Sequence, residues 1–224
     1  MATFGPMVER DWVGWHKAYD ERGSSMERRL RVVQRRVAEA LDDAPPGHVR
    51  IISMCAGQGR DLLGPLAQHP RRADVTARLV ELDATNAAVA REAARDTRLD
   101  GVDVVCGDGS VTTAYEGAVP ADLVLVCGVF GNVPDGDVAH TITALPALCG
   151  TRATVIWTRH RLPPDLTPAI RAWFAEKGFD EVAFDSEEPH AFGVGTHRLR
   201  IQPLPFIPRL RLFDFVGDGS GARL

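Results

Sequence analysis

From residue 49 to residue 157 short apolar runs alternate with turns of small residues and with longer stretches of helical spacing. The apolar runs cover 49–55 (VRIISMC), 77–82 (ARLVEL), 102–106, 121–127 (ADLVLVC) and 153–157, and helical patterns fall at 60–69, 86–99 and 138–149. Runs this short, with ADLVLVC apolar on both faces, predict a parallel sheet covered by helices on each side. After a helix at 166–177 the rhythm breaks into two strand-like runs, 179–184 and 197–201, with no helical pattern between them. An antiparallel hairpin closing the sheet accounts for both. The expected fold is therefore a doubly wound α/β domain with a seven-stranded, mostly parallel sheet.

Two amphipathic helices are expected before this domain. The first, at 11–20, places Trp12, Trp15, His16 and Tyr19 three and four residues apart, on one face. The second starts at Ser24-x-x-Glu27, a capping-box pattern, and carries Met26, Leu30, Val33, Val37 and Leu41 on one side. DDAPPG then ends it. This divides the chain into an N-terminal helical part (1–47), the α/β domain (48–217) and a frayed tail (218–224).

Length and composition fit one ordinary globular core: 224 residues, 45% hydrophobic and 25% charged. A formal charge of −4 argues against a dedicated nucleic-acid binder, which carries a basic face. Cys55, Cys106, Cys127 and Cys149 show no zinc spacing and read as reduced thiols. With no signal-peptide pattern and no apolar run of membrane length, a cytoplasmic protein is expected.

In such a sheet, ligands bind at the carboxyl ends of the strands, where strand order reverses. The turn after the first strand reads Cys55-Ala56-Gly57-Gln58-Gly59-Arg60-Asp61, a glycine turn that lets a ligand approach the main chain. The second strand ends in Glu81-Leu82-Asp83, where a carboxylate can hold the vicinal hydroxyls of a ribose. Glu81 follows Gly57 by 24 positions, in keeping with the roughly 20 expected for that role. Asp83 is the rival for the ribose, and also a candidate helix cap. The third turn supplies Asp108 and Gly109, with a carboxylate suited to an exocyclic amine.

Taken in order, SMCAGQGRD, LVELDATNAAVARE, VVCGDGS, ADLVLVCGVFGN and the closing WFAEKGFDEVAF…GVGTHRL resemble the successive motifs of class I S-adenosylmethionine-dependent methyltransferases across about residues 49–203. The resemblance implies S-adenosylmethionine as donor and S-adenosylhomocysteine as product. It places Ala56, Gly57, Gln58 and Gly59 around the donor's amino-acid end, Glu81 on the ribose, Asp108 and Gly109 at the adenine, and Cys127, Gly128 and Val129 beside the sulfonium. Where the family's first motif opens with Asp or Glu this chain has Met54-Cys55, and Asp61 is a substitute from the next turn. The resemblance also implies that the two N-terminal helices lid the site.

For the acceptor, the candidates are Trp12, Trp15 and Tyr19 on the first helix, Phe130 and Asn132 after the fourth strand, and Arg159 after the fifth. His160 and His16 are the candidate general bases, since imidazole titrates near physiological pH. The DPPY-type tetrad of methyltransferases acting on nucleic-acid bases is absent, which favours O- or N-methylation of a small molecule. The implied reaction is in-line displacement, with no metal constellation evident and a monomer or homodimer expected. The rivals are a non-catalytic S-adenosylmethionine-binding protein and a nicotinamide-dependent oxidoreductase, whose fingerprint wants a third glycine where this chain has Leu62.

Overall fold

The strand β4, Ala121–Val126, lies at the middle of the molecule with nearly every side chain buried, as its unbroken apolar run predicts. In the computed structural model, which describes residues 19, 21, 23–186 and 192–216, it belongs to a seven-stranded sheet of order β3-β2-β1-β4-β5-β7-β6. The strands are β1 (Val49–Met54), β2 (Val75–Glu81), β3 (Val102–Cys106), β4, β5 (Cys149–His160), β6 (Phe179–Ser186) and β7 (Phe192–Leu199). The first five are parallel, and β7 pairs antiparallel with both β5 and β6, so the expected closing hairpin is present. Strand order reverses between β1 and β4. That opens the crevice at their carboxyl ends where a ligand is expected.

One face of the sheet is covered by α1 (Ser25–Asp43), α2 (Arg60–Gln68) and α3 (Ala84–Asp96); the other by α4 (Asp135–Ala144) and α5 (Thr167–Glu176). On α1 the Ser24 hydroxyl accepts from the Glu27 amide (3.0 Å) while Glu27 reaches back to the Gly23 amide (2.9 Å). Val33, Val37 and Leu41 are fully buried against Leu62, Leu63, Leu66 and the sheet.

This corrects half of the expected lid. The helix after Ser24 is a layer of the core, and only its first turn, with Tyr19 before it, borders the strand ends. The other helix expected of the lid, with Trp12, Trp15 and His16, falls outside the described residues. Two further boundaries move. The helix expected at 138–149 ends at Ala144, where Pro146 turns the chain into a short 3-10 segment. The strand expected at 153–157 runs from Cys149 to His160, because β7 pairs with its polar end. None of the four cysteines is bridged, and no described helix is long and apolar enough to cross a membrane.

Candidate active site

The turns that follow β1, β2, β3 and β4 lie at the carboxyl ends of the strands around the reversal of strand order. After β1 the backbone takes left-handed φ at Cys55 (49°), Gly57 (56°) and Gly59 (72°), which folds the chain back sharply before α2. At Gly59 the left-handed backbone angle favours glycine, and a Cβ would stand 2.7 Å from Leu63 Cδ1, which would have to shift.

Glu81, only 9% exposed, closes this turn onto the end of β2. Its Oε2 accepts from the Gly57 amide at 2.7 Å and its Oε1 from the Asp83 amide at 2.9 Å. Burial raises its carboxyl pKa above the ordinary value, and the backbone amides pull against that shift. Each oxygen has accepting capacity beyond its one backbone bond. Asp83, by contrast, caps α3: its carboxylate accepts from the Asn86 amide at 2.8 Å. Leu82, between them, is 66% exposed, an apolar side chain left uncovered at the rim. Gln58 is held sideways, donating to Asn86 (3.2 Å) and accepting from Arg60 (3.0 Å).

At the turn after β3, Asp108 Oδ1 accepts from the Ser110 amide (2.9 Å) and hydroxyl (2.5 Å), and Oδ2 faces Arg211 at 3.4 Å. Gly109 packs tightly, since a Cβ there would meet Cys55 and the Tyr115 hydroxyl at 3.2 Å. That hydroxyl donates to the Gly109 carbonyl (2.6 Å), fixing the turn from within the core.

Where α1, α2 and β4 converge, five polar side chains meet. Asp61, at the start of α2, lies beside the Cys127 thiol at the end of β4, which donates to the Ile156 carbonyl at 3.9 Å, and the charge of Arg29 works against the burial of Asp61. Burial pushes the carboxyl of Asp61 and the thiol of Cys127 upward. The buried Tyr19 ring lies beneath the guanidinium groups of Arg29 (5.6 Å) and Arg60 (5.8 Å), and its hydroxyl accepts from Arg29. Asp61 thus stands beside the glycine turn.

The loop after β4 is fastened to the end of β5. The Gly128 amide donates to the Thr158 hydroxyl (2.8 Å), and Asn132 donates from its side chain to the Gly128 carbonyl (2.6 Å). Arg159 does not reach out to an acceptor. It is 8% exposed and is spent on the loop, bonding the Phe130 carbonyl and Asp135 (3.3 Å). Phe130 is likewise turned inward, fully buried with its ring 6.0 Å from that of Trp157, and Val129 is fully buried too. These two supply the loop's footing rather than an acceptor surface. His160, beside them, packs on Gly131, where a Cβ would stand 3.2 Å from its Cδ2. Its Nδ1 is buried without a partner among the described residues, and burial together with Arg159 lowers its pKa, so it is neutral at physiological pH. Sequence reasoning missed Arg29, Thr158 and Arg211. Each acts on the site from an element whose own pattern carries no mark of it.

No family model and no curated protein matches the chain. Solved structures do. Magnesium protoporphyrin IX methyltransferase from Synechocystis PCC 6803, solved with bound SAM, aligns with a TM-score of 0.61 at 14% identity over 83% of this chain and 89% of that one. An O-methyltransferase family protein from Burkholderia thailandensis aligns with a TM-score of 0.60 at 18% identity, over 86% of this chain and 62% of that one. The CurJ carbon methyltransferase gives 0.62 at 15% identity, over 85% of this chain and 59% of that one. The chain thus spans less than two thirds of the length of each of the last two. With the sheet order and terminal hairpin described above, these likenesses establish that the chain has the fold of class I S-adenosylmethionine-dependent methyltransferases.

Proposed function

We propose that the chain is an S-adenosylmethionine-dependent methyltransferase acting on a small molecule. The observation that carries this reading is the Glu81 carboxylate, held by the Gly57 and Asp83 amides at the strand-order reversal and flanked by the uncovered Leu82. The residues fit the donor. Glu81 offers its remaining lone pairs to two vicinal hydroxyls, Leu82 offers an apolar face to a purine, and Asp108, 46% exposed at its side chain, offers an acceptor to an exocyclic amine. At the other end Asp61 and the glycine turn suit an ammonium and carboxylate. That the neighbouring structures are named as methyltransferases supports the same reading.

When bound, the donor supplies an electrophilic methyl group. What the chain contributes is placement: Gly128 and Val129, fixed through Thr158 and Arg159, hold the loop at the reacting end, and proximity does much of the work for an activated sulfonium. For an oxygen acceptor, the neutral imidazole of His160 at the end of β5 is the base; His16 is the alternative. Leu62, where a dinucleotide fingerprint wants glycine, is buried in the core, which weighs against a nicotinamide reading.

Calorimetric titration with S-adenosylmethionine, S-adenosylhomocysteine and NADH tests this. Binding of both sulfur ligands without NADH is the expected result; NADH binding alone would sink the proposal.

A further inference from the structure

Residues 203–216, beyond the last strand, run along the domain as a strap with no helix or strand of their own. At one end the Leu204 amide donates to the Pro146 carbonyl (3.0 Å); at the other the Val216 amide donates to Asn132 (2.9 Å) in the loop after β4. Between them the strap is sewn to the turn after β3. The Thr112 amide donates to Leu210 (2.9 Å), the Leu212 amide to Ser110 (2.7 Å), and Arg211 forms an antiparallel bridge with Val111. Leu212 and Phe213 are buried in the core on the α4 side.

The guanidinium of Arg211 projects from this strap to three acceptors: Ser110 Oγ (2.8 Å), Asp214 Oδ1 (3.1 Å) and Asp108 Oδ2 (3.4 Å). Its side chain is 50% exposed and that of Asp108 is 46% exposed, so the ion pair adds little to stability. The strap is held by its backbone and by Leu212 and Phe213 without it. What the network does fix is direction. With Ser110 on Oδ1 and Arg211 on Oδ2, the Asp108 carboxylate is gripped at both oxygens.

We propose that Arg211 is a positioning residue for the purine of the methyl donor, aiming the Asp108 carboxylate at the ring's exocyclic amine. The inference rests on the donor reading given above and assigns the strap a part in choosing the base. An aimed carboxylate accepts from the amine of adenine and repels the carbonyl oxygen that inosine carries in its place. A carboxylate released by loss of Arg211 turns away from that oxygen and discriminates less.

The test is the ratio of two affinities, for S-adenosylhomocysteine and S-inosylhomocysteine, measured by calorimetry on the full chain. The wild type is expected to prefer the adenosyl ligand by about tenfold or more, the size of one charged hydrogen bond. R211Q, which leaves the backbone of the strap intact, loses most of that preference, R211K keeps part of it, and D108N shifts it toward the inosyl ligand. Because each ratio is internal to one variant, a general loss of stability does not move it. An R211Q ratio equal to that of the wild type, or a wild type without preference, overturns the inference. A wild type that binds neither ligand removes the donor reading itself, a result distinct from both.

Discussion

The Gly57 amide donates to Glu81 Oε2 at 2.7 Å, joining the turn after β1 to the end of β2 through one buried carboxylate. Glu81 is therefore both part of the wall and a ligand group, and the two roles separate by charge. E81Q keeps an accepting oxygen for Gly57 but loses the negative charge; it is expected to weaken S-adenosylhomocysteine binding about tenfold or more. The pH dependence follows from the raised carboxyl pKa. Affinity should begin to fall on acidification above the ordinary carboxylate range, as Glu81 takes up a proton, and E81Q should remove that limb of the curve. Calorimetry over a pH series checks both.

His197 predicts a pH-dependent stability. It is 1% exposed, stacked on Phe174 at 4.3 Å, and its Nδ1 accepts from the Trp157 indole (3.1 Å). Burial pushes its pKa down from 6.5 to about 4. The folded state thus resists protonation more than the unfolded chain does, so this contribution is complete above pH 6.5 and is lost as pH falls toward 4. The shift corresponds to about 3 kcal/mol at most. Urea midpoints between pH 7.5 and 4 should fall accordingly, and H197N should flatten the profile while lowering stability at neutral pH.

Arg71 predicts a stability effect far from the site. Its guanidinium donates to the carbonyls of Leu41 (3.0 Å), Ala44 (2.7 Å), Pro45 (2.8 Å) and Gly47 (2.8 Å), closing the end of α1 and the turn into β1. R71M keeps the aliphatic stem and leaves those carbonyls to water. A loss of about 2 kcal/mol by urea unfolding is expected, with donor binding retained.

Arg159 predicts a local effect on the loop after β4. Because it holds the Phe130 carbonyl and Asp135, R159M should loosen the loop after β4 while leaving Glu81 and Asp108 in place. S-adenosylhomocysteine affinity is expected to change less than threefold. Limited proteolysis should show faster cleavage near residues 128–135.

Much of this architecture is legible along the chain, for a local reason. A parallel sheet advertises itself through apolar runs and glycine turns, and the Ser24–Glu27 cap through four consecutive residues. Asp83 reads as a candidate cap from its place just before a helical pattern, and it does cap α3. What stayed hidden depends on partners distant in sequence. The pattern of α1 shows which side is apolar but not what covers it, so a core helix and a lid helix look alike. Arg159 reads as a free cation because its acceptor, the Phe130 carbonyl, lies 29 positions away. Arg211 sits in a proline-rich stretch with no periodicity, and its partner Asp108 lies 103 positions back. Phe130 followed the motif that contains it, but its ring turned into the core to meet Trp157.

A co-crystal structure with S-adenosylhomocysteine tests whether Glu81 holds the donor's ribose. Both ribose hydroxyls are expected within hydrogen-bond distance of Glu81, the purine against Leu82 with its amine toward Asp108, and the sulfur facing the loop at Cys127–Val129. A ribose held by Asp83, or a ligand bound away from the reversal between β1 and β4, would contradict it.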